Sequence, residues 1–156
     1  MPLQPGDMLP AFSLPDEQGH LVESSQFQGR WWVLYSYPKD NTPGCTQEAK
    51  DFTCLAGEFA ALEAPVLGLS PDKPASHVKF IAGQGLALRL LSDPDHRVLE
   101  ALGAWGRKKF MGREYDGVKR STWLVDPAGR VAAVWTDVKV KDHAREVLDT
   151  LRRLKG

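Results

Sequence analysis

Cysteine is scarce in this chain: Cys45 and Cys54 are the only two among 156 residues. Two cysteines exclude a disulfide framework, and with the scattered His20, His77, His96 and His143 they show no zinc-ligand spacing. A cofactor is therefore not expected. Excess charge is missing as well. Lys+Arg 20 against Asp+Glu 20 gives a formal net charge of +0, so neither nucleic acid nor an anionic membrane is an expected partner. No run approaches the roughly 18 apolar residues of a spanning helix, and "MPLQPGDMLPAF" has neither the basic start nor the apolar run of a secretory leader. The expected setting is cytoplasmic and reducing. What is present is an ordinary globular composition, 42% hydrophobic and 26% charged. A chain of this size can bury about two thirds of its unfolded surface, and one domain over 1–156 is expected.

The apolar pattern alternates between two periods. "RWWVLYSYP", Arg30 to Pro38, is aromatic and branched and is stopped by proline, as in a strand buried on both faces. From Pro43 the period changes. Cys45, Ala49, Phe52, Ala56 and Phe59 recur at three and four residues, which predicts one helix packed on a sheet. "APVLGLSPD" predicts a second central strand, and "KPASHVKFIAGQG" a second helix opened by Pro74 and closed by Gly83 or Gly85. "LRLLSDPDHRVLEALG" predicts a short strand and a short helix, and "STWLVDPAGRVAAVW" a hairpin turning at Asp126 to Gly129. In "DHAREVLDTLRRLK", Asp142 is placed to cap a helix whose Ala144, Val147, Leu148, Leu151 and Leu154 share a face. This order predicts an α/β, thioredoxin-like fold: a central mixed sheet flanked by helices, with the first thirty residues as an N-terminal extension. The histidines are expected at the surface and the five tryptophans in the core.

The chemistry concentrates in "YPKDNTPGCTQEAKDF", Tyr37 to Phe52. With Thr42 as N-cap and Pro43 as first helical residue, Gly44 and Cys45 take the second and third positions, where backbone N–H groups lack intrahelical partners. A sulfur there faces free donors at the positive end of the helix dipole, and both favour a thiolate over a thiol. Gly44 would let the backbone approach a bound oxygen, and Pro38 would shield the sulfur from water. A cysteine without such surroundings is most often a small core hydrophobe. Here the strand delivers it to the carboxyl end of the sheet, where open α/β folds bind ligands.

Pro38, Thr42 and Cys45 form the Pro-x-x-x-Thr-x-x-Cys signature, and the whole stretch resembles the PrxQ, or bacterioferritin comigratory protein, branch of the peroxiredoxins. The resemblance continues through "LGLSPDKPASHVKF", "LLSDPDHRV" and "YDGVKRSTWLVDPAGRV", so it runs nearly the length of the chain in order. It implies a thiol-dependent peroxidase acting on hydrogen peroxide and organic hydroperoxides, with thioredoxin, glutaredoxin or a small thiol as reductant. It also implies that Cys45 is the peroxidatic cysteine, Thr42 the hydroxyl that contacts thiolate and peroxide, and Arg120 the active-site arginine. Pro38 would be the shielding proline, and Glu48 the acid that braces the arginine. Taken without the resemblance, Arg120 is equally well a solvated charge, Thr42 simply a cap, and Glu48 a surface residue. A monomer is expected.

The chain departs from that pattern in one respect. Relatives that form an internal disulfide carry the resolving cysteine five residues after the peroxidatic one or in the following helix, where this chain has Lys50 and a cysteine-free segment. Cys54 is nine residues on. In a continuous helix that is about 13.5 Å along the axis and about 180° around it, against the roughly 4.4 to 6.8 Å between Cα atoms that a disulfide needs. A one-cysteine cycle with an external thiol is expected. The alternatives are a two-cysteine cycle in which local unwinding lets Cys54 resolve, a cysteine hydrolase using His77 or His96 as base, and a non-enzymatic thioredoxin-fold binding module.

Overall fold

The computed structural model describes residues 2–156. The chain opens with a small antiparallel pair, β1 (Ser13–Pro15) and β2 (Leu21–Glu23), and a 3₁₀ turn, Ser24–Phe27. Then come β3 (Trp32–Ser36), α1 (Pro43–Cys54), α2 (Ala56–Ala61), β4 (Val66–Ser70), α3 (Pro74–Gln84), β5 (Arg89–Ser92) and α4 (Arg97–Ala101). The rest is β6 (Trp105–Phe110), β7 (Arg113–Val118), β8 (Ser121–Val125), β9 (Val131–Trp135) and α5 (His143–Lys155). The central sheet has the order β5-β4-β3-β8-β9. β3, β4 and β5 are parallel, β8 runs antiparallel to β3, and β9 runs antiparallel to β8. This is the mixed, thioredoxin-like α/β sheet that the segment order predicts. Among the described residues, no helix is long and apolar enough to cross a membrane.

The sheet is buried on both faces, and the two-residue period of β3 sorts its side chains. Val33, Tyr35 and Tyr37 pack with Cys45, Ala49 and Phe52 of α1, Phe80 of α3, and Val147, Leu148 and Leu151 of α5. Trp32 and Leu34 point the other way, to Phe12, Leu14, Val22 and Phe27, and to Leu99 of α4. The N-terminal segment is thus more than an extension: its apolar residues close the second face of the sheet.

Several expectations are corrected. The helix predicted from Pro43 through Phe59 breaks at Leu55, whose φ of −98° and ψ of 3° end α1 before α2 begins. Gly85, at φ 63°, closes α3, a left-handed position that favours glycine. Neither Thr42 nor Asp142 makes the predicted side-chain cap bond, although each sits at its N-cap position. Leu154 is exposed rather than on the buried face of α5. His77 and His143 are buried, not superficial, and of the five tryptophans only Trp32 and Trp123 are fully in the core. The β6–β7 hairpin was not foreseen, because its charged residues and its glycines obscure any apolar alternation.

Candidate active site

The buried β3 ends at Ser36 and hands the chain to a loop, Tyr37 to Thr42, that opens α1. Pro43 stands at the helix start, as its fixed φ and missing N–H allow. Thr42 is extended, at φ −91° and ψ 154°, and its hydroxyl donates to the Lys39 carbonyl at 2.8 Å. The first-turn N–H groups of α1 are therefore left without the cap that Thr42 was expected to supply. Cys45 lies in that turn with 2% of its surface exposed.

Arg120 immediately precedes β8, and the Val138 N–H anchors its backbone carbonyl at 3.0 Å. Its guanidinium divides between two partners: Nη2 donates to Cys45 Sγ at 3.3 Å and Nη1 to Glu48 Oε1 at 2.6 Å. Gly44 makes this approach possible. A Cβ at Gly44 would lie 3.3 Å from Arg120 Nη2, so the bare backbone here admits the arginine. Glu48, three residues past Cys45, is buried beneath the guanidinium, and its Oε2 has no partner among the described residues. Burial pushes Glu48 up to about 7, against the pull of Arg120. The Tyr35 hydroxyl is likewise buried and unpartnered. Burial, with Glu48 and Cys45 adding to it, raises the Tyr35 pKa well above the ordinary phenol value.

A second cluster holds the other side of the loop. Asp40 Oδ1 accepts from the Tyr37 hydroxyl at 2.6 Å, while Oδ2 accepts from Ser76 Oγ and faces His77 Nδ1, both at 2.8 Å. His77 Nε2 faces the Leu91 carbonyl at 3.0 Å, and the Asp40 N–H donates to Asp72 at 2.8 Å. Asp40, Asp72 and His77 could each offer an atom to a metal ion. Those atoms already have protein partners, Asp40 and His77 each other and Asp72 the Asp40 N–H and the Ser70 hydroxyl, so the cluster reads as a hydrogen-bond clamp joining the loop to α3. Sequence reasoning missed it. The available signal was the position of His77 three and four residues before Phe80 and Ile81, on the apolar face of α3.

His143 lies under α1, edge-on to Phe52 and 2.8 Å from the Thr122 hydroxyl. Burial depresses its pKa to about 4. His96 stacks on Trp105 at 3.9 Å. Of the residues singled out from sequence, the structure brings together Cys45, Arg120, Glu48 and Gly44. Thr42 and the half-buried Pro38 lie on the adjoining loop. Cys54 ends the same helix but is exposed where Cys45 is buried.

Comparison with known proteins identifies the family. Residues 5–134 match the model of the AhpC/TSA family. The chain is similar to Peroxiredoxin Bcp of Bacillus subtilis, 44% identical with 97% of each chain covered. It is similar to Peroxiredoxin Bcp of Escherichia coli at 42% identity, again with 97% of each covered. Among solved structures, it superposes on the bacterioferritin comigratory protein of Xanthomonas campestris with a TM-score of 0.88 at 39% identity, covering 93% of this chain and 92% of that one. That protein is described as having alkyl peroxide reduction activity. A PrxQ variant from Xylella fastidiosa gives a TM-score of 0.94 at 35% identity, covering 100% and 99%. The chain belongs to the AhpC/TSA family, as a peroxiredoxin of its Bcp/PrxQ branch and hence a thiol-dependent peroxidase.

Proposed function

We propose that this peroxidase reduces hydrogen peroxide and organic hydroperoxides through a sulfenic acid on Cys45, which an external thiol then resolves. The observation that carries the reading is the guanidinium of Arg120 donating to Cys45 Sγ at 3.3 Å. A charged donor at that distance aims positive charge at the reacting sulfur. The thiolate attacks one peroxide oxygen in line with the O–O bond, so negative charge grows on the departing oxygen. Arg120 and the uncapped N–H groups of the first turn can hold that oxygen. The Thr42 hydroxyl commits its proton to Lys39, which leaves its oxygen to accept from the peroxide O–H. Pro38 shields the sulfur on the loop side. Glu48 acts as a positioning residue by bracing Arg120.

Three observations favour external resolution. Cys45 and Cys54 lie within the one helix α1, one is buried and the other exposed, and nine residues of helix set them about 13.5 Å apart along the axis. The helix break that could have brought them together comes only after Cys54. Cys54 is a bystander in this reading. A hydrolase reading lacks a base, because both ring nitrogens of His77 face Asp40 and Leu91, and His96 stacks on Trp105.

The test is turnover of hydrogen peroxide by Cys45→Ser and Cys54→Ser with a thiol reductant in excess. Cys45→Ser should be inactive and folded, since serine keeps the size but is not ionised at neutral pH. An active Cys45→Ser beside an inactive Cys54→Ser would reverse the assignment.

A further inference from the structure

The β6–β7 hairpin and the segment after β9 enclose a groove of about 430 Å³, and Arg120 is among the residues that line it. The groove therefore adjoins the reacting sulfur through the arginine that contacts it. Its other charged walls are Lys108, Lys109, Lys119 and Lys139, with Asp137 the only carboxylate. Arg107 is also on the rim but is held by Glu114 and Asp116 at 3.8 and 3.4 Å. The four lysines make no ion pair among the described residues.

Two glycines that oppose each other in the hairpin register, Gly106 and Gly117, make room for these cations. A Cβ at Gly117 would stand 3.2 Å from Lys108 Cδ, and one at Gly106 would stand 3.4 Å from Lys119 Cε. Bare backbone at both places lets the two lysine stems lie across the hairpin. Lys108 is then pinned by donating from Nζ to the Val118 carbonyl at 2.8 Å. Burial, then the Arg120 charge, holds the Lys108 pKa below its usual value, with Cys45 and Asp137 pulling the other way. That ammonium is within electrostatic reach of the sulfur.

The pull of this groove on an anion changes through the catalytic cycle. In the cycle proposed above, the reacting thiolate of Cys45 offsets Arg120. Conversion of the thiolate to an uncharged sulfenic acid removes that negative charge, so the net positive charge of the groove rises by one just when an external thiolate must approach. A neutral hydroperoxide gains nothing from this. The volume lies in the range of small-molecule sites, roughly 300 to 1,000 Å³.

We propose that the groove is an anion subsite for the reductant: it binds the carboxylate of a small acid-bearing thiol and presents the thiol sulfur to the Cys45 sulfenic acid. The inference rests on the Cys45 cycle proposed above. The thiolate forms an S–S bond to Cys45 as the S–O bond breaks, and the departing hydroxide takes a proton and leaves as water. A second thiol of the same class attacks the first thiol's sulfur in the mixed disulfide and releases Cys45 as thiolate. Two thiols are oxidised to one disulfide for each sulfenic acid reduced.

The test is a single-turnover measurement. Cys45 is oxidised with one equivalent of hydrogen peroxide, and the rate constants for its reduction by 3-mercaptopropionate and by the methyl ester of that acid are compared, each corrected for its thiolate fraction. At about 20 mM ionic strength the acid should outpace the ester on the order of tenfold, and the preference should collapse toward one at about 0.5 M salt. The Lys119→Gln/Lys139→Gln double variant should lose most of it. The readout is a ratio, so a general loss of activity does not imitate the effect, and the salt series on the unaltered protein needs no variant. A ratio near one at low salt overturns the proposal. So does a ratio that survives both salt and the double variant, or an acid preference confined to the oxidation step with carboxylate-bearing hydroperoxides. Failure of any sulfenic acid to form on Cys45 would sink the cycle and the subsite together, whereas failure of the ratio alone sinks only the subsite.

Discussion

Two buried carboxylates flank the start of α1, and their surroundings are opposite. Asp40 has both oxygens filled by Tyr37, Ser76 and His77. Burial works to raise its pKa, but the hydrogen bonds from His77 and Tyr37 outweigh that and hold it below 3.8. Glu48 has a single donor, Arg120, and an empty Oε2, and burial takes it up to about 7. A buried carboxylate with a full set of donors is a fixed clamp. One left half-served sits near its own titration point and shares its cation with whatever else needs it, here the sulfur of Cys45. The loop between them is thus rigid on the Asp40 side and electrostatically adjustable on the Glu48 side.

The largest effect is expected at the clamp. Asp40→Ala takes the acceptor from the buried Tyr37 and His77 and the half-buried Ser76 and should cost roughly 3 to 5 kcal/mol of stability, read as a lowered denaturation midpoint at neutral pH. A loss under 1 kcal/mol would mean the cluster is not a clamp. Because the folded pKa of Asp40 is lowered, its contribution is fully present above pH 3.8 and fades as pH falls through the folded value.

Glu48→Gln sharpens the contrast through the opposite sign. A carboxyl raised from 4.5 to about 7 binds its proton more tightly when folded. Its contribution is full below pH 4.5 and is lost as pH rises through 7, on the order of 3 kcal/mol in all. Urea unfolding at pH 5 and pH 8 should show the variant gaining on the unaltered protein at the higher pH. A difference that does not move with pH would place Glu48 with Asp40 as a fixed anchor.

Arg120→Met tests what the adjustable side does for chemistry. It keeps much of the apolar stem and removes the charge, and should slow Cys45 oxidation by tenfold or more, about 1.4 kcal/mol in the barrier. Stopped-flow oxidation across pH 5 to 8 checks this, and an unchanged rate would reduce Arg120 to a structural role. The smallest effect belongs to Cys54→Ser. The exposed thiol touches neither carboxylate cluster, so stability should move by less than about 0.5 kcal/mol.

What was legible in the sequence follows this same division. Local signals placed Cys45 well: proline at the first helical position, a buried strand before it, and a three-and-four stripe after it. The succession of strands and helices along the chain followed from alternating periods. The pairing of Arg120 with Cys45 and Glu48 spans more than seventy residues, and only family resemblance pointed to it. Residue type alone placed Glu48 at the surface, since a carboxylate is rarely buried without a partner, and the partner was out of sight in the sequence. The Asp40 clamp was invisible for the same reason, its members being spread over Tyr37, Ser76 and His77. The helix break at Leu55 was obscured because the apolar stripe continues in phase to Phe59. The β6–β7 hairpin hid because Gly106 and Gly117 interrupt its strands, and its turn glycine, Gly112, follows Met111 rather than the asparagine or aspartate of the usual turn pair.

The central claim is that Cys45 alone carries the oxidised state until a thiol arrives from outside. Mass spectrometry and non-reducing peptide mapping after one equivalent of hydrogen peroxide, with a sulfenic-acid trap present, test it most directly. The expected result is the trapped adduct on Cys45 with Cys54 still a free thiol. A dominant Cys45–Cys54 linked peptide would contradict it, and would require the first turns of α1 to unwind in every cycle.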